Sequence, residues 1–350
     1  MSDAVDYIVV GAGSAGCVLA NRLTASGEHS VCLLEAGPPD RSPWIHIPIG
    51  YGKTMFHKVV NWGYYTDPDP NMLGRRIYWP RGRTLGGSSA INGLIYIRGQ
   101  RRDYDAWAAA GNPGWGWDDC LPYFRKLENN DLGPGDTRGT EGPLNATSIK
   151  TPHPLVEGLI GAAKALGVPQ VQDFNTGEQD GVGYYQLTTR NGRRCSTAVA
   201  YLRPAQGRAN LRIETDAHAM AVLFEGSRAV GVRYRQGGQV RTLRARREVL
   251  LCAGALQSPQ LLQLSGVGPA ALLRPFGIRV VRDLPGVGEN LQDHLQIRLI
   301  YETRQPITTN DQLRTLHGRV GMGLQWLLFR GGPLAVGINQ GCLLYTSDAA

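Results

Sequence analysis

No run of apolar residues in the 350-residue chain approaches the about eighteen that a membrane-spanning helix needs, and no basic-then-apolar leader precedes Asp6. The sequence therefore reads as cytoplasmic and without a transmembrane segment, with peripheral attachment at the inner membrane left open. Cysteine is sparse: Cys17, Cys32, Cys120, Cys195, Cys252 and Cys342 are scattered, and none falls in a CxxC spacing. That excludes a zinc-knuckle or disulfide-framework reading, and no metal site is expected; in apolar runs such thiols behave as small hydrophobes. Aromatic residues make up 8% of the chain and do not interleave with its basic clusters. The formal net charge is +8, yet Arg190/Arg193/Arg194 and Arg244/Arg246/Arg247 are short groups, so nucleic acid is not an expected partner. Mild steering of an anionic ligand fits the charge better. Internal repeats and low-complexity tracts are also missing.

Glycine, by contrast, is plentiful. Its 46 residues point to many tight turns and close backbone approaches. Apolar content of 42% and charged content of 19% suit a globular protein, and the length suits two domains or one composite domain.

Residues 7–10 read as a buried strand, and residues 14 to about 25 as a helix with Val18, Leu19 and Leu23 on its apolar side. "SVCLLE" (30–35) reads as a second buried strand, completing a β-turn-α-β unit of parallel type. Residues 36–83 carry Pro, Gly and aromatics with little periodicity, a length that is usually functional. Helices are expected at 103–110, 117–129 and 152–166, with a turn-rich linker at 130–144. Runs at 211–214, 217–224, 229–235 and 239–245 read as an antiparallel meander. "EVLLCAG" (248–254) reads as a strand buried on both faces, followed by a helix at 258–264. "NGRR" (191–194) reads as a solvated basic turn.

The first strand leads into "GAGSAG". Gly11 permits the tight turn, Gly13 lets backbone approach a pyrophosphate, and Gly16 lets the helix lie close to the strand. The helix start offers free N–H groups to phosphates. Glu35 ends the second strand, where a carboxylate can accept both hydroxyls of an adenosine ribose. The motif by itself does not separate NAD from FAD. The later meander and buried strand favour FAD.

"GRTLGGSSAINGLIYIRGQRRDYDAW" (82–107) resembles the first signature of the glucose–methanol–choline (GMC) flavoprotein oxidoreductases. "GALQSPQLLQLSGVG" (254–268) resembles the second, and "LPGVGENLQDH" (284–294) the loop after it. With the glycine turn these matches run from Asp6 to about Asn339. "NWGYYTDPDP", "WPRGR" and "NGRRCSTAVAYLRPA" most resemble choline-dehydrogenase-like members, a group that covers many alcohols. The residue chemistry agrees: Gly86 and Gly87 let backbone press against a flat ring or a pyrophosphate. Ser88 and Ser89 offer donors to phosphate oxygens and open a helix, and Asn92 carries both a donor and an acceptor.

The resemblance implies an α/β two-dinucleotide-type FAD fold with a partial antiparallel substrate domain. Residues 1–150 and 190–300 would bind FAD, 151–189 and 301–341 would belong to the substrate domain, and 342–350 would be a non-native tail of a C-terminally truncated chain. Ser14 and Ala15 would touch the pyrophosphate and Glu35 the ribose. Gly87, Ser88, Asn92, Gly93, Leu94 and Ile95 would line the flavin and its phosphate side, and the backbone of Ala219 would hold adenine. Ile91 stands where some members tether FAD through a histidine, so non-covalent FAD is expected.

The implied reaction oxidises an alcohol to a carbonyl by hydride transfer to flavin N5, with a histidine as base. The resemblance places that histidine pair beyond the end of this chain, so none of the seven histidines is expected to be catalytic, His294 included. The reduced flavin would pass its electrons to oxygen or to a quinone-like acceptor. An FAD-containing hydroxynitrile lyase and an inactive dinucleotide-binding fragment remain as alternatives.

Overall fold

In the computed structural model, which describes residues 4–294 and 296–344, the sequence "VVGAG" leaves the middle of a six-stranded sheet. Strand β1 (Ala4–Val10) has neighbours on both sides, and successive residues Ile8, Val9 and Val10 are all buried, so both faces of the strand are covered. Strand β2 (Val31–Leu34, "VCLL") is buried at every position, as a parallel strand covered on both faces should be. The remaining strands are β3 (Leu211–Glu214), β4 (His218–Glu225), β5 (Arg228–Gln236) and β6 (Gln239–Leu251). The order across the sheet is β3-β2-β1-β6-β5-β4. The registers Tyr7↔Val31 and Val10↔Leu34 on one side, and Tyr7↔Glu248 and Val10↔Leu251 on the other, bring three strand ends to one edge.

The parallel sheet broken by a meander is present, with two differences from the sequence reading. Residues 211–214, expected in the meander, pair parallel to β2 through bonds such as Glu35 N–H to Glu214 O (2.9 Å). So short a run carries no periodicity that separates a parallel edge strand from a hairpin arm. The run at 239–245 and the first four residues of the run at 248–254 form one 13-residue strand, which ends at Leu251. Its first half pairs antiparallel with β5 and its second half parallel with β1, with a register shift between Val5 and Tyr7. The β5–β6 turn is Gly237–Gly238, both at positive φ (57° and 77°), as a two-residue hairpin requires. Beneath the sheet, Ile8, Val10, Leu34, Val232, Leu243 and Leu261 share one apolar cluster.

The chain forms two compact units. The first contains the sheet and comprises Met1–Arg41, Thr54–Ile91 and Thr197–Glu302. The second comprises Ser42–Lys53, Asn92–Ser196 and Thr303–Ala350. Residues 92–150, grouped with the first domain by the sequence, pack in the second unit because their partners lie there. Ile95–Tyr96 pairs with Gln186–Leu187, and Arg98 makes a 2.7 Å ion pair with Glu128. The helix expected at 117–129 ends at Leu127, and Glu128–Asn130 turns extended to pair with Leu144–Ala146. Gly341–Leu344 pairs with Gly181–Tyr184, so residues 342–344 continue a strand; 345–350 lie outside the described residues. Among the described residues, no helix is long and apolar enough to cross a membrane.

Candidate functional site

The ends of β1, β2 and β6 open onto a cavity of about 820 Å³ within the first unit. The chain leaves β1 for β2 on one side while β6 pairs on the other and leads away into the helix Gly254–Leu264, a switch point of the kind where α/β sheets place ligands. The three glycines of the elbow serve different ends. Gly11 has φ +100°, and a Cβ there would lie 2.6 Å from Cys252 O. A Cβ on Gly16 would lie 1.9 Å from Gly11 O. Chain packing demands both. Gly13 lines the cavity, and a Cβ there would meet nothing closer than Cys252 O at 3.9 Å. The free space at Gly13 faces the cavity.

Helix α1 (Ser14–Leu23) starts at Gly13 without a side-chain cap, and Ser14 and Ala15 line the cavity. Its first-turn N–H groups therefore point where an anion would sit. Helix α2 (Gly254–Leu264), longer at its start than the expected 258–264, also begins at the cavity without a side-chain cap. Glu35 closes the far end. It is 5% exposed, and its oxygens accept from Ala12 N–H and Gly37 N–H, both at 2.9 Å. Burial outweighs these bonds and the nearby Arg83, pushing the carboxyl up to about 7.

The loop at 82–90 lies on the elbow. Gly86 N–H donates to Ala12 O (2.7 Å), and a Cβ on Gly87 would be 2.7 Å from Gly13 Cα. The helix expected at the serines is a single 3-10 turn, Gly87–Ala90, because Gly86 (φ +90°) and Ile91 (φ −127°) leave helical space on either side. The two serines divide the work. Ser88 lines the cavity, its Oγ accepting from Gly82 N–H. Ser89, expected to face phosphate, instead donates to Gly86 O (2.6 Å) and accepts from Thr197 N–H (3.0 Å). Ala219 lines the cavity beside a register shift in β4.

Sequence reasoning missed the aromatic wall. Trp62 and Tyr64 stack at 5.9 Å, His218 meets Trp62 edge-on at 5.6 Å, and the Arg83 guanidinium lies 5.0 Å above Trp62. Burial, then the charges of Arg83 and Arg235, hold the His218 imidazole below its usual value. The aromatic density of residues 36–83 was the available signal. This wall, two uncapped helix starts, a buried acid and an open glycine suit a dinucleotide.

The sequence profile described as GMC oxidoreductase matches residues 5–296. The chain belongs to this family. Its similarity to mouse mitochondrial choline dehydrogenase is 48% identity over 93% of this chain and 56% of that protein. With the oxygen-dependent choline dehydrogenase of Photobacterium profundum it shares 44% identity over 100% of this chain and 62% of that protein. Among solved structures, an FAD-dependent oxidoreductase from Chaetomium thermophilum superposes with a TM-score of 0.89. That pair is 31% identical and covers 96% of this chain and 61% of the other. The chain thus spans about three-fifths of the length of the curated relatives it matches.

The rest of the GMC signature lies in the second unit. Asn92 is exposed, Gly93 is partly buried, Leu94 is fully buried, and Ile95 begins a two-residue strand. None of the four lines the cavity of the first unit. Leu94 adopts φ +70°, a conformation that side chains resist and that clusters at functional sites. The "NGRR" turn is not fully solvated: Arg194 is 2% exposed and donates to Ile45 O (2.8 Å) and to Asn92. Of the histidines, only His218 lines the cavity. His153 caps the helix Pro154–Ala165, and the His294 side chain stands 92% exposed beside Asp293.

Proposed function

We propose that the chain binds FAD non-covalently and serves the oxidation of the CH–OH group of a small alcohol, choline-like or another primary alcohol, to a carbonyl. The observation that carries this reading is the open Gly13 between an uncapped helix start and the buried Glu35. Ser14 and Ala15 N–H groups take the pyrophosphate, Glu35 the ribose hydroxyls and the Ala219 backbone the adenine. Gly87 and Ser88 lie along the phosphates, and Asn92, Gly93, Leu94 and Ile95 serve the flavin side. Ile91 is buried and carries no nucleophilic atom, which supports the non-covalent mode. When bound, FAD supplies a two-electron acceptor for the carbinol hydride. Oxygen or a quinone-like molecule would be the final acceptor of the electrons. We assign no catalytic histidine among the seven. The relatives' names favour oxidation over cyanohydrin cleavage.

Titrating FAD into the purified chain tests the reading. Uptake of one FAD per chain, with a flavin absorption band that survives dialysis but is released on unfolding, is expected. A chain that stays colourless in excess FAD overturns it.

Glu35 adds a pH signature. Ribose hydroxyls donate to the carboxylate, so binding requires the deprotonated form, and the free carboxyl titrates at about 7. FAD affinity should therefore rise about tenfold between pH 6 and pH 8 and level off above, by one-proton linkage. Glu35→Gln, tested by the same titration, should bind weakly and without that slope. The sign for stability is opposite. With the folded value above the usual 4.5, the unliganded chain loses stability as pH climbs from there through about 7.

A further inference from the structure

Asn92 sits in a turn that the second unit holds by unusual means. Arg194 Nη1 donates to Asn92 Oδ1 (2.7 Å), and Nη2 donates to the backbone oxygen of the same residue (2.8 Å). The Leu94 N–H also donates to Asn92 Oδ1 (3.2 Å), closing an Asx turn. Leu94 pays for its left-handed backbone by burying its side chain against Leu187 and Val336, and its carbonyl accepts from Thr188 N–H (2.8 Å).

Both partners of Asn92 Oδ1 are donors, and this settles which end of the amide is which. The oxygen is turned inward. Nδ2, at an exposed position, is left as a pair of N–H donors. Without Arg194, only the longer bond from the Leu94 N–H would oppose a half-turn of the amide that exchanges the two ends. A guanidinium gripping both oxygens of one residue is a geometry that a lysine cannot reproduce.

We infer that Arg194 is a positioning residue that fixes the polarity of the Asn92 amide, so that Asn92 meets the flavin as a hydrogen-bond donor to an acceptor on the ring edge. This rests on the flavin reading above. Burial pushes the guanidinium down to about 9, which leaves it charged at neutral pH and able to polarise the amide it holds. A donor to a ring acceptor favours the electron-rich reduced ring, so the device also sets the reduction potential.

The test uses the purified chain with FAD and two variants. Arg194→Lys keeps the charge and loses the two-pronged grip. Asn92→Asp keeps a partner for Arg194 and loses the donor. Each should bind FAD about tenfold more weakly, the loss expected for one neutral hydrogen bond, and shift the flavin reduction potential downward. Asn92→Asp should melt at the wild-type temperature, so it decides the matter if Arg194→Lys fails to fold. Wild-type FAD affinity and potential in Asn92→Asp overturn the inference.

A readout without flavin separates this inference from the reading beneath it. In the 15N-labelled unliganded chain, the Asn92 side-chain amide should give a shifted pair of proton signals. The pair should move to the free-amide position in Arg194→Met, or in Arg194→Lys should Met unfold the chain. If the wild-type chain takes up no FAD while this signal behaves as described, the flavin reading fails and the positioning stands. A wild-type signal already at the free-amide position removes the positioning as well.

Discussion

Gly13→Ala should leave the chain folded and unable to hold dinucleotide, whereas Gly16→Ala, three residues on, should compromise the fold itself. At Gly13 the backbone is extended (φ −78°, ψ −160°), a conformation open to alanine, and the added carbon would reach no protein atom within 3.9 Å. An alanine at a helix N-cap costs about 1 kcal/mol or less relative to glycine. The methyl group would occupy the space that a pyrophosphate needs for close approach. FAD affinity should fall about a hundredfold, the equivalent of a lost backbone contact plus a steric clash. At Gly16 the added carbon would lie 1.9 Å from Gly11 O, a backbone atom with nowhere to move because Gly11 N–H is tied to Leu34 O at 2.8 Å. Overpacking of that kind costs about 3 kcal/mol or more. Urea unfolding and FAD titration on both variants check the pair. Equal loss of stability in the two would show that Gly13 serves packing rather than a ligand.

Arg98→Met should be the most damaging single change in the second unit. The Arg98 and Glu128 side chains are 2% and 0% exposed, joined at 2.7 Å. Tyr96 OH donates to the same carboxylate oxygen at 2.5 Å, and Gly139 N–H donates to the other at 2.7 Å. Arg98 also ties two distant stretches together through Thr137 O and Asn175 O, and lies 4.9 Å over the Phe124 ring. Methionine fills the volume and leaves a carboxylate in the interior without its cation, a loss of about 3–5 kcal/mol. Tyr96→Phe removes one hydrogen bond and keeps the pair, so its cost should be smaller, about 1–2 kcal/mol. Burial is the main reason the Tyr96 phenol is held well above its usual value, so it remains a donor across the neutral range. Thermal melting of the two variants beside the parent gives the order. A phenylalanine variant less stable than the methionine one would contradict this account.

What was legible in the sequence was local. Strand, elbow, helix and Glu35 fall within some thirty residues of chain, and each owes its place to a steric or hydrogen-bonding demand met by its neighbours. The first cavity wall could thus be named residue by residue from Gly11 to Glu35. What was not legible depended on partners far along the chain. Arg194 looks like part of a solvated turn because its burial comes from Ile45 and Asn92, 149 and 102 residues away. Ser88 and Ser89 are chemically alike, and only the backbone of Thr197, 108 residues on, tells the brace from the cavity-lining hydroxyl. Residues 211–214 resemble a hairpin arm until β2 is seen beside them. The aromatic wall was hidden for a different reason: stacking of Trp62 on Tyr64 has no period to detect.

Strand β6 carries a consequence for how the first unit comes apart. Because Leu243 on the hairpin half and Leu250 and Leu251 on the half that abuts β1 belong to a single continuous strand, the hairpin half can peel away only by bending that strand at the register shift opposite Val5 and Tyr7. Amide protons from Val232 to Leu251 should then exchange with solvent as one cooperative block. A ligand that slows the exchange of Leu251 beside the cavity should slow that of Leu243, buried beneath the hairpin, to the same degree.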